Sequence, residues 1–216
     1  RLRAVEVPEL VVEPDPGTPR RIGLLPGSFD PITIAHVALA EAASRLVDVT
    51  VLVYSARTIA KEGEPPLLGE EQRVHQLHRV SEARPDVIVG LCSHGLLVDQ
   101  VDAARARFPG TDLSLVIGSD KLIQLLDPVW YEDPDAALER LFRRAGVLYG
   151  VREGERDAVE QILANLPRWR ERFVRLDVPS AIAAVSSRSV RARLRRGDDV
   201  ANLLPPEARG MLGGRA

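Results

Sequence analysis

The chain has 216 residues, of which 45% are hydrophobic and 28% are charged, and its formal net charge is −2. These values are typical of a soluble globular protein with one domain of ordinary size, and they exclude a strong overall positive field of the kind that recruits nucleic acid. No apolar run approaches the roughly 20 residues that cross a bilayer. The single cysteine, Cys92, cannot form an internal disulfide. We therefore expect a cytoplasmic protein that binds neither membranes nor nucleic acid.

The first 20 residues are rich in turn-forming residues and precede the periodic part of the chain. Four of them are proline and one is glycine. This composition predicts an extended or partly ordered arm over residues 1–20, followed by a single domain over residues 21–216.

From residue 22 onward, predicted strands alternate with predicted helices. The first strand is the apolar run 22–25, and a helix with apolar spacing continues past His36. Further strands are predicted from apolar and β-branched runs at residues 49–54, 87–91, 113–117, 147–151 and 173–176. Further helices are predicted at residues 69–84, 96–108, 136–144, 157–166 and 187–196. Doubly apolar strands that alternate with helices predict an α/β fold, a Rossmann-like doubly wound parallel sheet of five to six strands.

The junction between the first strand and the first helix is a candidate anion site. A strand leads through a glycine- and proline-containing turn, residues 26–31, into a helix N-terminus, where free N–H groups and the helix dipole favour phosphate. Thr33 and His36 are three residues apart, so they can lie on one side of the helix. Neither the G-x-G-x-x-G nor the G-x-x-x-x-G-K-[ST] phosphate motif is present. A turn with a merely structural role is the alternative.

Two further clusters follow predicted strands, at the carboxyl ends where open α/β sheets bind ligands. Gly118-Ser119-Asp120 follows the fourth strand, and Asp120 is either a ligand-binding carboxylate or a helix cap. The other cluster begins the last helix, where Ser186 or Ser187 is a candidate N-cap.

Three arginines of the last helix, at positions 188, 191 and 195, are spaced so that they share one face. Hydroxyls and guanidinium groups at a helix N-terminus suit a polyphosphate. A capped, solvated basic helix is the alternative.

The first junction resembles the signature of the small nucleotidyltransferases, a G-x-F-x-P segment followed by [HT]-x-x-H. The matching residues are Gly27, Ser28, Phe29, Pro31, Thr33 and His36. These enzymes join a nucleoside triphosphate to a phosphate monoester. Residues 185–191 resemble the I-S-S-T-x-x-R motif of the same enzymes, with Arg188 in place of the Thr. The resemblance implies ATP-binding roles for Gly27, Ser28, Phe29, His36, Ser186, Ser187 and Arg191.

The middle of the chain resembles the branch that adenylylates pyridine mononucleotides. Residues 118–120 are similar to its G-A-D segment, which implies that Gly118 and Asp120 bind ATP and that the carboxylate accepts from the ribose hydroxyls. Trp130 lies in a segment similar to the loop whose Trp stacks on the pyridine ring, and Arg152 in one similar to T-R-x-G. Both are therefore expected to bind substrate. Lys61 follows the second strand, where the family places a phosphate-facing lysine; a solvated surface lysine is the alternative.

Other segments resemble pantetheine-phosphate adenylyltransferase, namely residues 26–33, 95–99 and 197–207. Gln100 also stands where the pyridine branch usually has Thr. However, the R-G-L-R run of the pantetheine branch is missing after the fourth strand, and the chain is longer than that branch between strands four and six. The middle of the chain therefore favours pyridine nucleotides.

The resemblance implies adenylyl transfer from ATP to nicotinate or nicotinamide mononucleotide, which gives a dinucleotide of NAD biosynthesis and pyrophosphate. His36, Thr33 and Arg191 are the expected catalytic residues, with Mg²⁺ held by the ATP phosphates and no metal site on the protein. Self-association into a homo-oligomer is compatible with the sequence. The alternatives are adenylylation of phosphopantetheine and a catalytically silent nucleotide-binding homologue, because fold does not determine function.

Overall fold

The computed structural model describes residues 7–55, 65–127, 129, 131–152 and 154–212. In these ranges, seven strands form one sheet in the order β1-β4-β3-β2-β5-β6-β7. The strands are β1 Leu10–Glu13, β2 Arg21–Gly27, β3 Val49–Ser55, β4 Val87–Cys92, β5 Asp112–Gly118, β6 Ala145–Gly150 and β7 Phe173–Arg175. All neighbouring strands are parallel except β1 and β4. The predicted α/β, Rossmann-like fold is thus confirmed.

Helices cover both faces of this sheet, and each face has its own apolar core. The helices are α1 Ile34–Ala43, α2 Glu70–Glu82, α3 Leu97–Arg107, α4 Ser119–Leu126, α5 Pro134–Phe142, α6 Arg156–Ala164, α7 Ser180–Ala183 and α8 Ser187–Arg196. The strand order reverses at β2, which has β3 on one side and β5 on the other. Loops from these strands diverge there and leave a crevice at the carboxyl edge, where α/β folds bind ligands. Among the described residues, no helix is both long and apolar enough to cross a bilayer.

Strand β1 corrects the expectation of an arm ahead of the domain. Residues 10–13 pair antiparallel with β4, with Leu10 opposite Cys92, and the Glu9 N–H donates to Ser93 Oγ at 2.9 Å. Leu10 is buried, whereas Val11 is 58% exposed. Only one side of this short edge strand packs on the core, and prolines surround it in the sequence. The local sequence pattern therefore indicated an extended segment but not an additional strand of the sheet.

Helix α4 is a second difference from the sequence prediction, which had no helix directly after the fourth strand. It has only eight residues, and its apolar spacing is carried by Leu122 and Leu125, which are fully buried. Such a short pattern falls below the length at which periodicity is informative. The N-cap is Gly118, so Asp120 lies in the first turn rather than at the cap.

Candidate active site

The turn between β2 and α1 is shaped by Gly27 and Phe29. A Cβ at position 27 would lie 2.8 Å from the Phe29 ring, so only glycine fits there without a shift. Phe29 has a φ of 45°, which is uncommon for a bulky residue. Its ring is completely buried and packs edge-on against His36, with ring centroids 5.1 Å apart. The side chain of Phe29 therefore packs behind His36, and only its backbone is available to a ligand.

Thr33 and His36 meet as their spacing predicted. Thr33 is the N-cap residue of α1, and its backbone N–H donates to His36 Nδ1 at 3.0 Å. Thr33 Oγ1 lies 2.9 Å from the same nitrogen. Because Nδ1 accepts from the backbone, the ring proton of the neutral imidazole is on Nε2. Thr33 is fully buried, so it acts on the site through the orientation and tautomer of His36.

His36 is neutral at physiological pH. Burial lowers its pKa from 6.5 to about 4, and the positive charges of Arg152 and Lys121 act in the same direction, while Asp120 opposes them. These three charged residues come from the ends of β5 and β6. His36 and the segment that begins at Gly118 therefore share one electrostatic environment. A neutral imidazole with Nε2–H is a hydrogen-bond donor suited to phosphate oxygens.

Asp120 and Arg152 form an ion pair within this environment. Arg152 Nη2 lies 3.2 Å from Asp120 Oδ1. The pair is held by Ser119, which is fully buried, accepts from the Arg152 N–H at 3.2 Å and donates to the Glu155 carboxylate. The predicted residues Asp120 and Arg152 thus lie together. The supporting bonds of Ser119 and Glu155 had no signal in the sequence.

The start of α8 contacts the loop between β2 and α1. Ser186 is the N-cap, and its Oγ accepts from the Ser189 N–H at 3.1 Å. Ser187 Oγ donates to the Pro31 carbonyl at 2.8 Å, and Arg191 Nη1 donates to the Asp30 carbonyl at 2.7 Å. Arg188 is exposed on the outer side of the first turn of α8.

Two helix N-termini therefore converge at one point of the crevice. The Ser187–Pro31 bond joins the start of α8 to the loop that precedes α1. The positive ends of both helix dipoles, together with Arg191, create a region that favours anions. The half-buried Ser28 and Gly27 line the same loop. This arrangement can bind a polyphosphate through backbone and side-chain donors.

A small recess of about 20 Å³ lies between the loop after β4 and helix α4. It is lined by Gly95, Leu96, Leu97, Lys121, Gln124, Leu125 and Tyr131. Gln100 fixes one wall, because its Nε2 donates to the carbonyls of His94 and Gly95 at 3.2 and 3.3 Å. Burial raises the pKa of Tyr131 to about 12, so its phenol is neutral. Gln100, which stands where the pyridine branch usually has Thr, thus supports the wall of a recess beside the site.

Two predicted residues, Lys61 and Trp130, lie outside the described residues. Among the residues that are described, no group of three or more His, Cys, Asp or Glu side chains is arranged to hold a metal ion.

Comparison with known proteins finds a matching family and several relatives. A family model described as cytidylyltransferase-like matches residues 24–193. The chain is 27% identical over 210 residues to a probable nicotinate-nucleotide adenylyltransferase of Trichlorobacter lovleyi, covering 87% of this chain and 93% of that protein. It is 32% identical over 151 residues to a protein of the same description from Halorhodospira halophila, covering 68% of this chain and 66% of that protein.

A phosphopantetheine adenylyltransferase of Lachnoclostridium phytofermentans is 33% identical over 88 residues, covering 41% of this chain and 51% of that protein. This shorter match agrees with the mixed resemblance of the sequence. The family model covers β2 to α8, which carry all three clusters of the crevice. The chain therefore belongs to the cytidylyltransferase-like family and is a nucleotidyltransferase.

Proposed function

We propose that this nucleotidyltransferase transfers the AMP part of ATP to a pyridine mononucleotide, with nicotinate mononucleotide as the preferred acceptor. The observation that carries the proposal is the neutral His36, whose Nε2–H is fixed by Thr33 beside two converging helix N-termini and Arg191. Fixed donors of this kind stabilise charge that develops on phosphate oxygens during transfer.

In the proposed reaction, an oxygen of the acceptor phosphate attacks the α-phosphorus of ATP. The new bond joins that oxygen to the α-phosphorus, and the bond to the bridging oxygen of the β-phosphate breaks. Pyrophosphate leaves with the bonding electrons. A phosphate monoester is already largely a dianion at neutral pH, since its second pKa is about 6. Catalysis therefore needs positioning and charge stabilisation rather than a strong general base.

Each part of the crevice has a role in this reaction. His36 donates through Nε2–H to the phosphate at which transfer occurs. Arg191 and the N-terminus of α8, with Ser186 and Ser187, bind the β- and γ-phosphates. Asp120 accepts from the hydroxyls of the ATP ribose. The assignment of Lys61 to the phosphates rests on the sequence resemblance.

The acceptor is assigned to the side of the crevice that contains Arg152 and the recess beside α4. Arg152 suits the phosphate of the mononucleotide, and Trp130 is assigned to the pyridine ring from the sequence resemblance. Lys121 lines the recess and adds positive charge there, which favours an acceptor with a carboxylate. Two relatives named for nicotinate nucleotide match over 87% and 68% of the chain, whereas a relative named for phosphopantetheine matches over 41%.

The residues present fit a metal ion that arrives with the triphosphate. The described part of the crevice offers donors for phosphate, and the carboxylate of Asp120 is paired with Arg152. Mg²⁺ would therefore be held mainly by phosphate oxygens, where it would neutralise charge on the triphosphate.

The test is an acceptor panel with ATP and Mg²⁺. Nicotinate mononucleotide, nicotinamide mononucleotide and phosphopantetheine are supplied separately, and pyrophosphate release is measured. We expect release with nicotinate mononucleotide and slower release with nicotinamide mononucleotide. The same panel with His36→Ala shows whether the release comes from this site.

Phosphopantetheine is the second candidate, because residues 95–99, which resemble its branch, lie next to the recess or line it. Release with phosphopantetheine alone would overturn the pyridine assignment. Binding of ATP with no release for any acceptor would instead indicate a silent nucleotide-binding protein.

A further inference from the structure

We propose that Asp30 is a positioning residue that holds Arg191 in the orientation needed to bind the phosphates of ATP. This inference rests on the proposed function only for the identity of ATP as the nucleotide. Asp30 is not itself placed to touch the nucleotide, because it is only 5% exposed although it belongs to the loop before α1.

The carboxylate of Asp30 joins two segments that are far apart in the sequence. Its two oxygens accept from the N–H groups of Leu67 and Leu68, at 3.0 and 2.9 Å. These residues directly precede α2, whose N-cap is Gly69. A buried carboxylate that accepts two backbone bonds has a fixed position and orientation.

Arg191 is anchored to Asp30 at one end of its guanidinium group. Nη1 donates to the Asp30 carbonyl at 2.7 Å and lies 3.5 Å from the carboxylate oxygen Oδ2. The Arg191 side chain is 17% exposed and that of Asp30 is 7% exposed, so water screens this pair poorly. The ion pair therefore restrains Arg191 before any nucleotide binds.

A second donor of Arg191 has no partner among the described residues, and an anion could provide one. This donor, Nε, is buried and has no hydrogen-bond partner in the described part of the chain. A guanidinium carries five N–H donors, and a buried donor without a partner is costly. A phosphate oxygen would satisfy this donor, while Asp30 keeps Nη1 occupied. Asp30 thus orients the guanidinium by holding one of its donors.

A thermodynamic cycle of ATP affinity tests this inference, with Kd measured calorimetrically without acceptor. We expect Asp30→Asn to raise the Kd for ATP about 10-fold, because the counter-charge that orients Arg191 is lost. Arg191→Ala should raise it more, and the double variant should bind no more weakly than Arg191→Ala alone. If the fold-increases in Kd of the two single variants multiply in the double variant, Asp30 acts independently of Arg191, and the inference is overturned.

Asp48 provides a matched control. Its carboxylate accepts from the N–H groups of Arg20 and Arg21, each at 2.9 Å, and pairs with the Arg21 guanidinium at 3.0 Å. Asp48→Asn removes the same types of contact at the opposite edge of the sheet, before β3. We expect the Kd for ATP to stay unchanged. An equal rise in the Kd would mean that the Asp30 effect reflects a general loss of stability.

A measurement on the wild-type chain covers the case in which Asp30→Asn does not fold. The Nε–H signal of Arg191 is assigned in an NMR spectrum by its loss in Arg191→Lys. We expect a sharp signal without nucleotide that shifts when ATP is added. A signal averaged with those of exposed arginines in the ATP-free chain would overturn the inference. A wild-type chain that binds no ATP would refute both this inference and the proposed function, whereas multiplying losses would refute the inference alone.

Discussion

The two sides of the crevice differ in how the arginine of each side is held. On the phosphate side, residues 27–36 and 186–191 are joined by bonds to the backbone, such as Ser187 to Pro31 and Arg191 to Asp30. On the acceptor side, Arg152 is held by the exposed carboxylate of Asp120, which the proposed function assigns to the ATP ribose. An exposed pair of side chains adapts to single substitutions more easily than an arginine that is bound to a buried loop. If the proposed function holds, the phosphate side is therefore the more rigid side and the acceptor side the more adaptable one.

The largest expected effect comes from removing the donor at the centre of the phosphate side. We expect His36→Ala to lower kcat by about 100-fold or more, the scale of losing one oxyanion donor. The thermal transition should remain cooperative. Pyrophosphate release under saturating substrates is the measurement, and His75→Ala, which removes an exposed imidazole on α2, is the control. Turnover within a few-fold of wild type would remove His36 from the mechanism.

The pH dependence of stability should also report on the phosphate side. Burial lowers the pKa of His36 from 6.5 to about 4, so at intermediate pH the unfolded chain binds a proton that the folded chain does not. The contribution of His36 to the free energy of unfolding is therefore lost as pH falls from about 6.5 to about 4, by up to about 3 kcal/mol. Urea unfolding at several pH values measures it. The His36→Ala variant should lose less stability than wild type over this range, and equal losses would contradict the lowered pKa.

A smaller effect is expected when the support of His36 is weakened but the imidazole is kept. Thr33→Val removes the hydroxyl beside Nδ1 and retains the backbone N–H that donates to it. We expect kcat to fall by about 10-fold, the lower end of losses for groups that orient an imidazole. The KM values for ATP and acceptor should change little. A rise in KM with kcat unchanged would instead indicate that Thr33 contributes to binding.

The smallest expected effect changes the KM for the acceptor and leaves the KM for ATP unchanged. Gln100→Ala removes the donors that hold the carbonyls of His94 and Gly95 at the recess. We expect the KM for the acceptor to rise by about 3- to 10-fold, the scale of one to two hydrogen bonds, with the KM for ATP unchanged. Gln72→Ala, an exposed glutamine on α2, is the matched control. Equal rises in both KM values would show that the two sides are not independent.

The local pattern of the sequence was sufficient for most of the fold. Continuous apolar runs predicted β2 to β7, because strands covered on both faces need apolar residues at successive positions. The spacing of Thr33 and His36 likewise predicted their contact, because both lie on the first turn of one helix. The capped start of α8 was predicted from its serines, and Ser186 is the cap. In each case the interacting residues are close in the sequence.

The remaining features were decided by tertiary structure, because they depend on residues that are distant in the sequence. Strand β1 pairs with residues about 80 positions later, and Asp30 meets Arg191 across 161 positions. The neutral state of His36 arises mainly from burial by the assembled fold. By itself, the sequence determined most of the strands and helices, the phosphate motif and the family resemblance. The tertiary structure decided which side chains pair, since long-range packing and burial set those contacts and the pKa of His36.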